Sequence, residues 1–102
     1  MMKEYSEFVE EMVITYSRDR LAENALGLVG EAGEVAEKAK KFFRDHTLDL
    51  EAVQKELGDV MFYWVALHGA LDLDPEITIQ KNKDKLSSRK SRGKIQGSGD
   101  NR

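Results

Sequence analysis

The chain has 102 residues, of which 40% are hydrophobic and 34% are charged, and its formal net charge is −3. A chain of this length is expected to form one small domain. It contains no cysteine, which excludes disulfides, thiolate metal sites and cysteine nucleophiles. The first twelve residues are too acidic for a signal peptide, and the longest apolar run, residues 60–67, is too short to span a membrane. We therefore expect a cytoplasmic protein.

Charge is distributed unevenly along the chain. Residues 81–102 contain eight lysines and arginines and two aspartates, a net charge of +6, so the first 80 residues carry −9. This division suggests that the body of the protein binds cations and the tail binds anions. An acidic surface followed by a disordered basic tail would have the same charges.

The first two predicted helices are separated by the polar residues 17–20. Helical spacing in the first predicts one apolar stripe, formed by Tyr5, Phe8, Val9, Met12, Val13 and Tyr16. The second is predicted to begin between residues 21 and 25 and to extend to about Arg44. It contains Gly27, Gly30 and Gly33. Each glycine costs about 1 kcal/mol relative to alanine in a helix, so three of them require a packing or functional reason.

The third predicted helix follows a connector at residues 45–49, where Thr47 or Asp49 is the expected N-cap, and extends to about Leu71. Residues 60–67 of this helix are apolar on every side. Because three other helices of a small chain could hardly cover all of that surface, we expect a second subunit to contact it.

A fourth helix is predicted to begin at the sequence Asp74-Pro75-Glu76, with an acidic N-cap and proline at the first helical position. It should end between Ser88 and Arg92. No alternating pattern is long enough to predict a strand. We therefore predict an all-α four-helix bundle over residues 1–92, with a basic, flexible, glycine-containing tail at residues 93–102, and helices packed in an oligomer.

Two pairs of acidic residues, Glu31 with Glu34 and Glu56 with Asp59, have the same spacing. Residues three apart project from one side of a helix, and antiparallel packing of the second and third helices would bring the pairs together. Four close carboxylates repel one another unless cations lie between them, and oxygen ligands favour Mg²⁺ or Mn²⁺. The neighbouring glycines would let the backbones approach and a solvated ion enter.

The spacing alone does not decide between a metal site and two solvated helix faces. In the second case Glu34 and Glu37 would form ion pairs with lysines one helical turn later, at positions 38 and 41. A di-iron site is disfavoured, because neither histidine follows a glutamate at the required spacing.

The sequence GLVGEAGEVAEKAKK at residues 27–41, followed by ELGDVMFYW at residues 56–64, resembles the MazG-like family of all-α nucleoside triphosphate pyrophosphohydrolases. The family signature is Glu-x-x-Glu, a spacer, and then Glu-x-x-Asp. NKDKLSSR at residues 82–89 is similar to the family's Asn-x-x-Lys-Leu-x-x-Arg. The resemblance covers residues 1–92, and the closing GSGDNR is similar to endings of small stand-alone phage members.

The resemblance implies cleavage of (d)NTPs between the α- and β-phosphates, giving a nucleoside monophosphate and pyrophosphate by metal-activated water. It implies that Mg²⁺, or Mn²⁺ in its place, is held by the four acids Glu31, Glu34, Glu56 and Asp59. The implied catalytic residues are Glu34, Glu56 and Lys85. The implied substrate-binding residues are Asn24, Asn82, Lys85 and Arg89. Family members form dimers or tetramers, so a homo-oligomer is expected.

The base pocket has five candidate residues on the first three helices, Phe8, Met12, Asn24, Tyr63 and Trp64. Two alternatives to a (d)NTP hydrolase are a phosphoribosyl-ATP pyrophosphohydrolase, which has similar helices and acids, and a non-catalytic metal-binding helical module. A nucleic-acid-binding protein is disfavoured because the charge of −9 on the first 80 residues would repel a duplex. We expect neither a nucleic acid nor a membrane as a partner.

Overall fold

The structure, a computed structural model, describes residues 1–14 and 19–102. These residues contain four helices and no strand, α1 (Met2–Met12), α2 (Asp19–Asp45), α3 (Leu50–Ala70) and α4 (Pro75–Ser91). The predicted all-α fold is therefore confirmed. None of the helices in the described ranges has the length and apolar content needed to cross a membrane. The chain divides into two compact units, Met1–Asp72 and Leu73–Arg102, which are described in turn.

In the first unit, both α1 and α2 pack against α3. The described residues place four apolar side chains in a buried core, Val9, Val13, Val65 and Ala66. Four larger side chains lie around this core and are partly buried, Met2, Tyr5, Phe62 and Trp64. This core is small for 102 residues, and α2 and α3 also carry exposed apolar side chains.

The first helix ends at Met12, earlier than the apolar stripe predicted. Val13 adopts an extended conformation with φ −68° and ψ 129°, yet its side chain is buried in the core. An extended residue that packs on the core continues the apolar pattern of the helix before it, which is why periodicity placed the boundary too late. Tyr16, the last residue of the predicted stripe, lies outside the described residues.

The second helix begins at Asp19, so the prediction that residues 17–20 separate two helices is wrong for Asp19 and Arg20. Arg20 is buried and donates hydrogen bonds of 2.7 and 2.8 Å to the two carboxylate oxygens of Glu10. It also donates to the carbonyl of Ala66 at 3.1 Å. The Arg20 guanidinium holds the pKa of Glu10 below its usual range. This paired charge joins all three helices of the first unit.

The N-caps of α3 and α4 were predictable from local sequence. Asp49, one of the two expected caps, accepts a hydrogen bond from the backbone N–H of Ala52 at 3.1 Å. Asp74 accepts one from the backbone N–H of Glu76 at 2.9 Å, and Pro75 is the first helical residue. Both caps satisfy N–H groups that have no partner within their helix.

The second unit, Leu73–Arg102, contains α4 and, after it, residues 93–102, which have no helix or strand. Gly93 has a φ of 68° and Gly99 a φ of 85°, values that glycine adopts without the strain of a side chain. Residues 93–102 form hydrogen bonds with side chains of α4. Their flexibility, and the domain boundary at residue 92, stay predictions.

Candidate functional site

Three of the four predicted acids meet between α2 and α3. Carboxylate oxygens of Glu31, Glu56 and Asp59 all lie within 4.8 Å of one another. Glu31 and Glu56 are partly buried, and Asp59 is exposed. The fourth acid, Glu34, is exposed on α2 beside this group and is near enough for its charge to raise the pKa of Glu31. The predicted convergence of the two acidic pairs is therefore present for three residues.

The three acids form an electrostatically unfavourable group when no cation is bound. The pKa of Glu31 is raised, mainly by a hydrogen bond with Glu56, then by desolvation and by the charges of Asp59, Glu56 and Glu34. A proton between two carboxyl groups relieves their repulsion, and a divalent cation would relieve it more completely. The donor atoms are all carboxylate oxygens, which fits Mg²⁺ or Mn²⁺.

The glycines near the acids have two different environments. A Cβ at Gly27 would overlap the ring of Tyr63, so this glycine allows the α3 side chain to lie directly on the α2 backbone. At Gly30, Gly33 and Gly58 a Cβ would have nothing within 4 Å. The expectation of close backbone approach is therefore wrong for these three within a single chain, where they leave open space around the acids.

A cavity of about 550 Å³ lies in the first unit, a size typical of small-molecule sites. Its lining includes Met12, Asn24, Leu26, Phe62 and Tyr63. Asn24 precedes Glu31 by seven residues on α2, which corresponds to about 10 Å along the helix, and Tyr63 follows Asp59 by one turn on α3. The cavity is therefore one to two helical turns from the acids.

Asn24 is the polar residue of this cavity whose burial requires explanation. It is 7% exposed, and its Nδ2 has no hydrogen-bond partner within the part of the chain that the structure describes. A buried amide without a partner is unfavourable by about 1–3 kcal/mol. A ligand that accepts a hydrogen bond from Nδ2 would satisfy it.

Three of the five base-pocket candidates, Met12, Asn24 and Tyr63, line the cavity. The other two do not. The ring of Phe8 stacks on Tyr5 with centroids 6.1 Å apart, and Trp64 packs against the core and contacts the His68 ring at 4.3 Å. Sequence reasoning missed Phe62, which lies in the same apolar run as the candidates Tyr63 and Trp64 but was not named as a candidate.

The predicted phosphate ligands lie on α4, in the second unit. Arg89 is buried, and its Nη2 donates to the carbonyls of Asp100 at 2.8 Å and Gly99 at 3.3 Å. Lys85 Nζ is 3.4 Å from the carboxylate of Asp100. Asn82 is exposed on the same helix. Lys85 and Arg89 therefore both contact Asp100, and no local sequence pattern indicates this contact.

A family model described as the MazG nucleotide pyrophosphohydrolase domain matches residues 19–93. The chain belongs to this family. The matched range includes the acids, Asn24 and the candidate phosphate ligands, whereas α1 and residues 94–102 lie outside it. The MazG chain is also 51% identical over 82 residues to the Gene 37 protein of Mycobacterium phage L5, covering 76% of this chain and 72% of that protein. No solved structure matches the chain.

Family membership confirms the resemblance seen in the motifs, including the likeness to phage members. This MazG domain is a nucleotide pyrophosphohydrolase, a hydrolase that acts on phosphoric anhydrides. MazG enzymes depend on divalent metal, and the group formed by Glu31, Glu56 and Asp59 supplies a candidate site for it. A non-catalytic helical module does not fit this family.

Proposed function

We propose that this MazG domain hydrolyses (d)NTPs between the α- and β-phosphates, releasing (d)NMP and pyrophosphate in the cytoplasm, with Mg²⁺ as its cofactor. The observation that carries the proposal is the approach of three carboxylates to within 4.8 Å of one another, one to two helical turns from a cavity of about 550 Å³. Metal ligands and a space of nucleoside size thus occur together in the first unit.

Glu31, Glu56 and Asp59 would hold the ion, and Glu34 is placed to join them. When bound, a divalent ion lowers the pKa of water and offsets the negative charge of phosphates. Glu34 and Glu56 are the carboxylates that we propose to orient the attacking water and accept its proton. The other two carboxylates, Glu31 and Asp59, are proposed only as metal ligands, and the remaining predicted site residues are amides and cations, which do not act as bases here.

The remaining polar residues would bind the substrate. Asn24 would form hydrogen bonds with the nucleobase in the cavity. Lys85 and Arg89 would bind the phosphates and stabilise charge that develops on them during hydrolysis, which is the catalytic role proposed for Lys85. Asn82 would donate to a phosphate or to the sugar.

A substrate panel tests the proposed activity. Purified protein is incubated with each common dNTP and NTP and with phosphoribosyl-ATP, with Mg²⁺ or with EDTA, and pyrophosphate is measured. We expect Mg²⁺-dependent pyrophosphate release from at least one dNTP. Release from phosphoribosyl-ATP alone would contradict the proposed substrate class.

The Asn24→Leu variant tests the base pocket. Leucine has a similar size but cannot form hydrogen bonds, so we expect kcat/KM for the preferred dNTP to fall about tenfold. The free energy of unfolding should stay the same or increase, because a buried amide without a partner is replaced by an apolar group.

Measuring kcat/KM of Asn24→Leu for each of the dNTPs supplies the control for this variant. If its amide reads the base, the loss in kcat/KM should differ between dNTPs, and discrimination among them should weaken. An equal loss for every base, or a loss of stability that parallels the loss of activity, would show that Asn24 has a structural role only.

We also propose that the domain is active as a homo-oligomer, a dimer or a tetramer. Its core is small, and α3 keeps exposed apolar side chains beside the core, with Leu57 52% and Met61 40% exposed. Association of two chains along α3 would remove this surface from water.

Sedimentation equilibrium checks the oligomeric state. At micromolar concentration we expect the wild type to have at least twice the mass of one chain, and Met61→Asp to shift toward monomer because a charge would be buried in the contact. Phe43→Asp is the control, because it introduces the same charge at an exposed apolar residue of a different helix, α2, and should leave the mass unchanged. A wild-type monomer would contradict the proposed contact.

A further inference from the structure

Residues 93–102 occupy the cationic side chains of α4. Asp100 supplies two kinds of acceptor: its carboxylate is 3.4 Å from Lys85 Nζ and 3.5 Å from Arg89 Nη2, and its carbonyl accepts from Arg89 Nη2 at 2.8 Å. The carbonyl of Gly99 accepts from the same nitrogen at 3.3 Å. The two cations hold the pKa of Asp100 below its usual range. An internal anion therefore lies where the phosphates are proposed to bind.

The side chain of Arg102 closes residues 94–102 into a loop. Its guanidinium donates to the carbonyls of Lys94 at 3.0 Å, Ile95 at 2.9 Å and Gly99 at 2.7 Å. The carbonyl of Arg102 accepts from Arg92 Nη2 at 2.8 Å. These bonds hold Gly99 and Asp100 against α4, so the position of Asp100 depends on Arg102.

The loop satisfies Arg89 incompletely. Arg89 is 4% exposed, yet its Nε has no hydrogen-bond partner among the residues that the structure describes, and three contacts converge on Nη2 alone. A phosphate group can accept from two nitrogens of one guanidinium in parallel, which is stronger than contacts with neutral carbonyls. A polyphosphate is therefore the better partner for this arginine.

We propose that residues 93–102, through Asp100, compete with the substrate's phosphates for Lys85 and Arg89, and that a polyphosphate displaces them. The proposal rests on the proposed phosphate-binding role of these two residues. In this arrangement the tail uses the same donors as the phosphates would, so it does not fold over a bound nucleotide. The apparent affinity for a polyphosphate is then reduced by the fraction of molecules in which the loop is open.

Calorimetric binding of inorganic tripolyphosphate, without divalent ions, tests the competition directly. We expect Asp100→Ala to bind tripolyphosphate about two- to tenfold more tightly than wild type, since exposed ion pairs have modest strength. Asp84→Ala is the matched control, because Asp84 is also on the surface of the second unit but contacts Gln80. Equal affinities of Asp100→Ala and Asp84→Ala would overturn the proposal.

The Arg102→Ala variant separates competition from simple charge effects. Removing this positive charge should weaken the binding of a polyanion by electrostatics alone. Opening the loop should instead tighten binding, because Asp100 is no longer held against Lys85 and Arg89. Tighter binding supports competition, and weaker binding contradicts it.

Arg89→Ala distinguishes this proposal from the function on which it rests. If Arg89→Ala binds tripolyphosphate as tightly as wild type does, α4 does not bind the phosphates. The proposed competition is then overturned as well. If Arg89→Ala weakens binding but Asp100→Ala behaves as Asp84→Ala, the phosphate role stands and only the competition is overturned.

Hydrogen exchange gives a readout that does not depend on affinity. Added tripolyphosphate should accelerate amide exchange in residues 95–101, since displacement exposes them to water. Slower exchange in the same residues would show that the tail closes over the anion as a lid, and would overturn the competition.

Discussion

We expect the Asp59→Asn variant to lose nucleotide turnover by at least about two orders of magnitude while its helices stay folded. An amide in this position cannot supply the charge that a divalent cation requires. Mutation of a residue that only supports a metal ligand typically reduces metal affinity or activity by about 10- to 100-fold, and loss of the ligand itself should cost at least as much. The measurement is pyrophosphate release at saturating Mg²⁺, with far-ultraviolet circular dichroism to confirm the helical content.

Stability should change in the opposite direction to activity. Without divalent ions, Asp59→Asn should unfold at the same or a higher temperature than wild type, because one of three charges lying within 4.8 Å is removed. Wild type should gain about 2.7 kcal/mol at a hundredfold excess of Mg²⁺ over its dissociation constant, and the variant should gain much less. A purely structural residue would not be expected to link stability to metal in this way.

The matched control is Glu37→Gln, an acid-to-amide change at an exposed position of α2 that is outside the acidic group. It should keep both the activity and the Mg²⁺-induced stabilisation of wild type. Wild-type activity in Asp59→Asn, or an equal loss in Glu37→Gln, would show that the three acids are not the metal site. The same series applied to Glu34 would decide whether this exposed acid belongs to the site.

The Arg89→Ala variant should lose one to two orders of magnitude in kcat/KM for dNTPs. This corresponds to about 1.5–3 kcal/mol, the range for a hydrogen bond to a charged group. Arg89→Lys should recover part of the loss, because it keeps the charge but cannot donate in parallel to one phosphate. Steady-state kinetics at physiological salt provide the measurement.

Because Arg89 is buried, its replacement could act through the fold, and two controls separate the effects. Thermal unfolding of Arg89→Ala shows whether the protein stays folded under the assay conditions. Lys90→Ala removes a positive charge from the next residue, which is exposed, and should retain nearly all activity. Wild-type kinetics in Arg89→Ala would contradict the proposed role of α4 in phosphate binding.

Features fixed by neighbouring residues were predictable from the sequence. The start of α4 is one example, because Asp74 caps the helix through the N–H of Glu76, two residues away. The acidic group is another, since antiparallel packing of the second and third helices was expected to bring the two acidic pairs together, and three of the four acids do meet. Glu34 remains exposed beside the group, although its charge is near enough to raise the pKa of Glu31.

Features fixed by distant partners were not predictable. Arg20 looked like part of a polar break, but its partner carbonyl is on Ala66, 46 residues away, and only the packed structure shows that its charge is buried. Asp100 looked like a residue of a solvated tail, whereas it contacts Lys85 and Arg89 on α4. In both cases a polar residue that looks solvent-exposed in the sequence has a partner at a distant position of the chain.

The most direct test of the proposed reaction is the identity of its products. A dNTP that serves as substrate is incubated with the protein and Mg²⁺, and the products are separated by anion exchange and quantified, with Asp59→Asn as the control for contaminating phosphatases. We expect equal amounts of dNMP and pyrophosphate, with no dNDP, and no products from the variant. Formation of dNDP and orthophosphate by wild type would contradict it.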